Sequence, residues 1–160
     1  MLAPDLLFSV WEDIVTSHVA DVSFYHDTNK LLDRSEGTAW PACFWALPSM
    51  TLQKDAEVYR PVYRLSMLFL DQTATDRSPT DMLDAHSRMA SIAAQCWVRF
   101  SDLYLVDSGT FEGANVDVEL VSAPVFTPVY DDDTTMLTGV RLEASLKDVS
   151  APYCVNDYFA

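Results

Sequence analysis

Ser78-Pro79-Thr80-Asp81 opens the segment that most constrains how this chain folds. A hydroxyl at the N-cap, a proline at the first helical position and an acid three places on start a helix that satisfies its own free amides. Met82, His86, Met89, Ala93, Cys96 or Trp97, and Phe100 then recur at helical spacing, which predicts a helix to about Phe100 with one apolar stripe. About 22 residues at about 1.5 Å rise make a rod of roughly 33 Å. Such a stripe has to be buried against another layer.

The rest of the chain supplies that layer. Leu6, Leu7, Val10, Trp11, Ile14, Val15, His18 and Val19 repeat at helical spacing, so a first helix is expected from Pro4 to about Ala20, with Asp5, Glu12 and Asp13 complementing its positive end. Val22, Phe24 and Tyr25 mark a short strand before an irregular stretch to Pro41. Ala42 to Gln53 reads as a strand interrupted near Pro48. After the polar patch Lys54 to Glu57, Tyr59, Tyr63, Leu65, Met67 and Phe69 alternate with Arg60, Arg64 and Ser66, the period of a half-buried antiparallel strand. At Leu68 and Leu70 both faces turn apolar, and both are expected to be covered. A long C-terminal hairpin follows from about Val116 to Lys147 around Asp131-Asp132-Asp133. Val116, Val118 and Leu120 lie on one arm, and Val140, Leu142, Ala144 and Leu146 on the other. Pro124 and Pro128 cannot donate to a central ladder, which places the first arm at an edge or a bulge. The expected architecture is α+β: a mainly antiparallel sheet, two amphipathic helices on one face, and the long hairpin.

At 160 residues and 49% hydrophobic composition, with no visible linker, residues 1–160 are expected to form a single domain, with 153–160 an apolar-aromatic tail that needs a surface to dock on. The net charge of −14 disfavours any surface that grips nucleic acid by neutralising phosphates. The excess is −5 up to residue 80 and −9 beyond it, heavier around the hairpin. Three unevenly spaced cysteines and no signal-peptide pattern indicate synthesis in a reducing compartment. No apolar run is long enough to span a bilayer, so a soluble protein without a membrane partner is expected.

Catalytic chemistry finds little footing. His18, His26 and His86 lack a second ligand at zinc spacing, and His18 and His86 fall on apolar helical faces. Cys43, Cys96 and Cys154 lack electropositive neighbours that would form a thiolate. Asp131-Asp132-Asp133 lacks the alternating acids, glycine and terminal glutamate of a calcium loop, so mutual repulsion is expected to keep it solvated. With four glycines in all there is no phosphate-cradling loop. No enzymatic activity, metal or cofactor is therefore expected, and a hydrolase would need acids gathered in a concave site.

The order of elements resembles the tail-terminator and neck (head-tail completion) proteins of long-tailed bacteriophages. The resemblance rests on the helix Leu6 to Val19, the strand Arg60 to Leu70, and the helix from Ser78-Pro79-Thr80-Asp81 through Asp84-Ala85-His86-Ser87-Arg88-Met89. It closes on Leu137-Thr138-Gly139-Val140-Arg141-Leu142-Glu143-Ala144-Ser145-Leu146. It implies a virion structural protein, made in the host cytoplasm, that forms a ring with copies of itself, usually six, at the head-tail junction. Such a ring caps the tail tube, contacts the tail-tube protein and a neck or connector protein, and lets DNA pass without specific binding. The residues it implicates at the lumen or the assembly interface are Tyr130, Asp131, Asp132, Asp133, Tyr153, Tyr158 and Phe159. An acidic lumen would repel phosphates within a Debye length of about 8 Å. The competing reading is an intracellular small-molecule or protein binding domain without catalysis, using Trp40 to Trp45 with Tyr59 and Tyr63 as a pocket.

Overall fold

The computed structural model describes residues 2–26, 39–73, 78–105, 110–111, 114–115, 117–130 and 137–150. In chain order the elements are α1 (Pro4–Thr16), β1 (Ser23–Tyr25), β2 (Ala42–Asp55), β3 (Val58–Gln72), α2 (Pro79–Tyr104), β4 (Thr110–Phe111), β5 (Ala114–Asn115), β6 (Val118–Tyr130) and β7 (Leu137–Asp148). Five strands form one sheet in the order β1-β2-β3-β7-β6, antiparallel except for β1 on β2, while β4 and β5 pair separately. The fold is α+β, with both helices on one face of the sheet.

The sequence explains that one-sidedness. β3 and β7 lie at the centre, and Val62 through Gln72 run opposite Lys147 through Leu137 without an irregularity. Tyr63, Leu65, Met67 and Phe69 face the same way as Leu146, Ala144, Leu142 and Val140, and all eight are buried. Cys43 and Trp45 extend this apolar face onto β2. α2 lays Ala85, Met89, Ile92, Ala93, Cys96, Trp97 and Phe100 on it. Ser78 caps α2 as expected, its hydroxyl accepting from the Asp81 amide at 3.1 Å. Rings lock the two helices together: Trp11 of α1 stacks on Phe100 at 4.8 Å between centroids, and Trp97 lies 6.3 Å from Trp11. Stacked pairs of this kind add about 0.5–1.5 kcal/mol beyond the area they bury.

The opposite face is polar except at one end. There Ala42, Phe44, Leu70 and Leu137 are buried, with Tyr25, Trp40, Leu68 and Val129 packed around them. The apolar residues that appear on both faces near Leu70 therefore serve two clusters.

One expectation needs correction. α1 ends at Thr16, short of Ala20, because Ser17 caps it and the chain turns through His18. His18 and Val19 consequently leave the apolar stripe. Val19 is 98% exposed, and His18 accepts from the Ala20 amide through Nδ1 and donates to Gln95 Oε1 through Nε2 at 2.7 Å. On β6, Leu120 is 41% exposed, because the register with β7 shifts just beyond it.

Gly139 has no room for a side chain. It lies between Leu70 of β3 and Val129 of β6, and a Cβ built on it would come 1.8 Å from the carbonyl oxygen of Phe69. Its own carbonyl accepts from His86 Nδ1 of α2 at 3.0 Å, which ties the helix to the same spot. We expect Gly139→Ala to lower stability by about 1–3 kcal/mol, as overpacking of a close-packed interior does. This would be read as a lower urea midpoint, and a midpoint equal to wild type would show that the strand yields there at no cost.

Candidate functional site

The acidic hairpin forms from β6 and β7, with arms close to those expected. β6 is the edge strand and carries register shifts between Leu120 and Ser122 and between Ser122 and Val125, in the stretch that contains Pro124. Tyr130 pairs with Thr138 at the end of the described ladder. Asp131, Asp132 and Asp133 lie outside the described residues, as do Tyr153, Tyr158 and Phe159. Cys154 falls there too.

What the structure does define is the root from which the last segment departs. Asp148 is fully buried, and its carboxylate accepts from the Leu2 amide at 2.5 Å and from the Ser150 amide at 2.9 Å and hydroxyl at 2.5 Å. Three donors at one buried carboxylate replace the water it has lost. The Val149 amide donates to the Asp117 backbone carbonyl, and the Arg60 guanidinium donates to the Val149 carbonyl. The chain is thus fastened at residues 148 and 149, at the base of β6 and beside β3.

A charge network lies next to it on the polar face. Lys147 sits 3.1 Å from Asp55 and 3.2 Å from Glu119, and Arg60 Nε is 3.7 Å from the same Asp55 oxygen. It joins the end of β2 to β7 and to the edge strand β6. Further along the same face Arg64 pairs with Glu143 at 2.9 Å.

The sheet is open at both sides among the described residues. β1 covers β2 only from Ala42 to Phe44. Beyond that the β2–β3 hairpin runs to the turn at Ala56 and Glu57, and Leu47, Met50 and Leu52 on β2 are exposed. The sequence reading gave this region as a strand interrupted near Pro48 and did not single out its second half as a surface. The available signal was the alternation of Met50 and Leu52 with Ser49, Thr51 and Gln53 in a stretch without charge.

The pocket supposed for a binding domain is not assembled. Trp45 and Tyr63 are buried beneath the helices, whereas Phe44 and Trp40 belong to the cluster on the opposite face. Tyr59 stands near the far end of the hairpin with Lys54 over its ring at 5.9 Å. The acids are also dispersed. Among the described carboxylates only Asp71 and Asp148 are buried, and Asp71 is engaged by Arg88 and the Gln72 amide. No three His, Cys, Asp or Glu side chains come together in a metal-binding group among the described residues. His86 is half-buried at the helix–sheet junction, and His26 is exposed. None of the helices among the described residues is long and apolar enough to cross a membrane.

Burial governs the two described cysteines. It pushes the Cys96 thiol up to about 12, and burial followed by the nearby Cys96 raises Cys43 well above its ordinary range. Both are neutral thiols at physiological pH and poor nucleophiles. We expect a thiol reagent at pH 8 to leave Cys43 and Cys96 unmodified in the native protein and to label both in denaturant, as peptide mass mapping would show. The charge network has its own signature. Hydrogen bonds from Lys147 to Asp55 and then Glu119 raise its pKa from 10.5. A raised folded-state value means that this contribution is complete below the unfolded lysine pKa and is lost as pH climbs through the folded one. The difference in Tm between wild type and Lys147→Met should therefore hold steady from neutral pH to about pH 10 and shrink above it.

The chain matches no protein-family model, and comparison with curated proteins gives no match.

Proposed function

We propose that this protein is a virion structural component, a tail terminator or neck protein that assembles with copies of itself into a ring at the head-tail junction of a long-tailed bacteriophage. The observation that carries the reading is a sheet open at both edges among the described residues, in a chain of net charge −14. Unpaired edges are a hazard for a monomer and an opportunity for an assembly, and a closed ring removes them. The acidity fits a conduit better than a grip, since a negative wall discourages DNA from adhering as it passes. The α+β layering agrees with the resemblance in the order of elements. The helix layer presents Glu12, Asp13, Asp84 and Asp102 outward, which adds to the negative surface. The tail-tube protein on one side and a neck or connector protein on the other are the partners of such a ring. The aromatic residues that a binding domain would need are divided between two faces of the sheet, which weakens that alternative.

Native mass spectrometry of the protein, alone and mixed with a tail-tube protein, tests the reading. A closed oligomer is expected, six subunits by the resemblance, and monomers under both conditions would overturn it. Replacing Asp131, Asp132 and Asp133 by lysine should change unfolding free energy by no more than about 0.5 kcal/mol, as surface substitutions usually do, while impairing assembly or DNA passage. Circular dichroism and particle infectivity provide the two readouts. A variant that unfolds would show that the triplet is structural.

A further inference from the structure

Beyond Phe44 the outer edge of β2 is unpaired among the described residues, and it is built unlike an edge meant for solvent. Natural sheets guard their edges with charge, proline, bulges or shortness. β2 is 14 residues long, and its one proline, Pro48, sits at the register shift between Ala46 and Ser49. From Ser49 to Asp55 it pairs with β3 residue for residue, leaving a regular outer side. No charged residue occurs from Ala42 to Gln53, and Leu47, Met50 and Leu52 are 83%, 52% and 53% exposed. The opposite edge of the sheet is also uncharged. β6 carries no charged residue from Leu120 to Tyr130, and Leu120, Val121 and Val125 are exposed.

Charge decides what covers these edges. Two copies of a chain at −14 repel wherever their acids come within about 8 Å at physiological salt. The edges of β2 and β6 are where two copies can meet without placing carboxylate against carboxylate. A basic partner would be drawn to the helix layer instead, where Glu12, Asp13, Asp84 and Asp102 are exposed. Because the two uncharged edges lie on opposite sides of one sheet, a single chain supplies both halves of the contact.

We infer that Ser49–Gln53 of one copy adds to the outer side of β6 in the next, so that one sheet continues from subunit to subunit. The contact is head-to-tail, the type that closes into a ring or extends as a filament. The inference deepens the ring reading and rests on it. Pro124 and Pro128 remove two donors from β6, so the exposed apolar side chains of both strands contribute alongside the ladder. The edge residues Met50 and Leu52 are the natural anchors.

Site-directed crosslinking of the full chain tests the pairing. Thr51 lies opposite Val62 on the polar face, and Thr127 lies opposite Arg141 on that same face. In a Cys154→Ser background, Thr51→Cys and Thr127→Cys proteins are mixed and treated with a short bis-maleimide. A crosslinked dimer is expected from the mixture and from neither protein alone, with Val125→Cys as a second β6 position for register. A second variant, Met50→Lys with Leu52→Lys, should lose the oligomer in sedimentation while keeping the wild-type circular dichroism spectrum and Tm. A dimer from Thr51→Cys alone would overturn the inference in favour of β2 meeting β2. Wild-type rings with no crosslink in any combination, or rings that survive the lysine pair, would overturn it and leave the ring reading standing. A wild-type protein that remains monomeric alone and with the tail-tube protein would overturn both.

Discussion

The unbroken pairing of β3 with β7 is the constraint on which the other elements depend. It sets Tyr63, Leu65, Met67 and Phe69 beside Leu146, Ala144, Leu142 and Val140, producing a single apolar face broad enough for α2. A slip of one residue would turn every one of those side chains toward the polar face, so register and burial enforce each other. At Gly139 a side chain would collide with the Phe69 carbonyl of β3, and the Gly139 carbonyl receives the His86 imidazole. Strand spacing and helix position are thereby set at one place. α1 is tied in through Trp11, whose ring lies on Phe100 of α2.

Burial on one side leaves the molecule with two kinds of surface. Charges occupy the outer sides of the helices and the middle of the polar sheet face, where Arg64 meets Glu143 and Lys147 lies between Asp55 and Glu119. The edge strands are nearly free of charge and retain exposed aliphatic side chains. The Asp55–Lys147–Glu119 network has a further part in this division. By linking the end of β2 to β7 and β6, it stiffens the hairpin that presents the uncharged edge.

Legibility in the sequence followed the strength of the local signal. α2 was readable because Ser78, Pro79 and Asp81 each satisfy a requirement of a helix start, and because its stripe is regular. β3 was readable from its alternation, and the edge character of β6 from its prolines. The end of α1 was not, since His18 and Val19 continue the spacing while the backbone has already turned, leaving Asp21 at φ 55°. The β2–β3 hairpin lacked a turn signal of the Asn-Gly or Asp-Gly kind. Ala56 takes the positive φ of 54° that glycine would adopt without strain, and an alanine does not announce this. The exposed edge of β2 was obscured by composition, because Leu47, Met50 and Leu52 look like core until the helices are seen to cover only the first part of the strand. The acidic triplet and the terminal aromatic residues implicated by the resemblance lie outside the described residues, and their roles rest on sequence.

Asp148 joins the beginning of the described chain to its end. With Leu2 buried and its amide held by the same carboxylate that receives Ser150, residues 2 and 150 meet at one corner of the fold. A fluorophore pair attached at these two points would report integrity of that corner through short-range energy transfer. The corner is thus a natural handle for engineering, remote from the far turn of the β2–β3 hairpin only by the length of one strand pair.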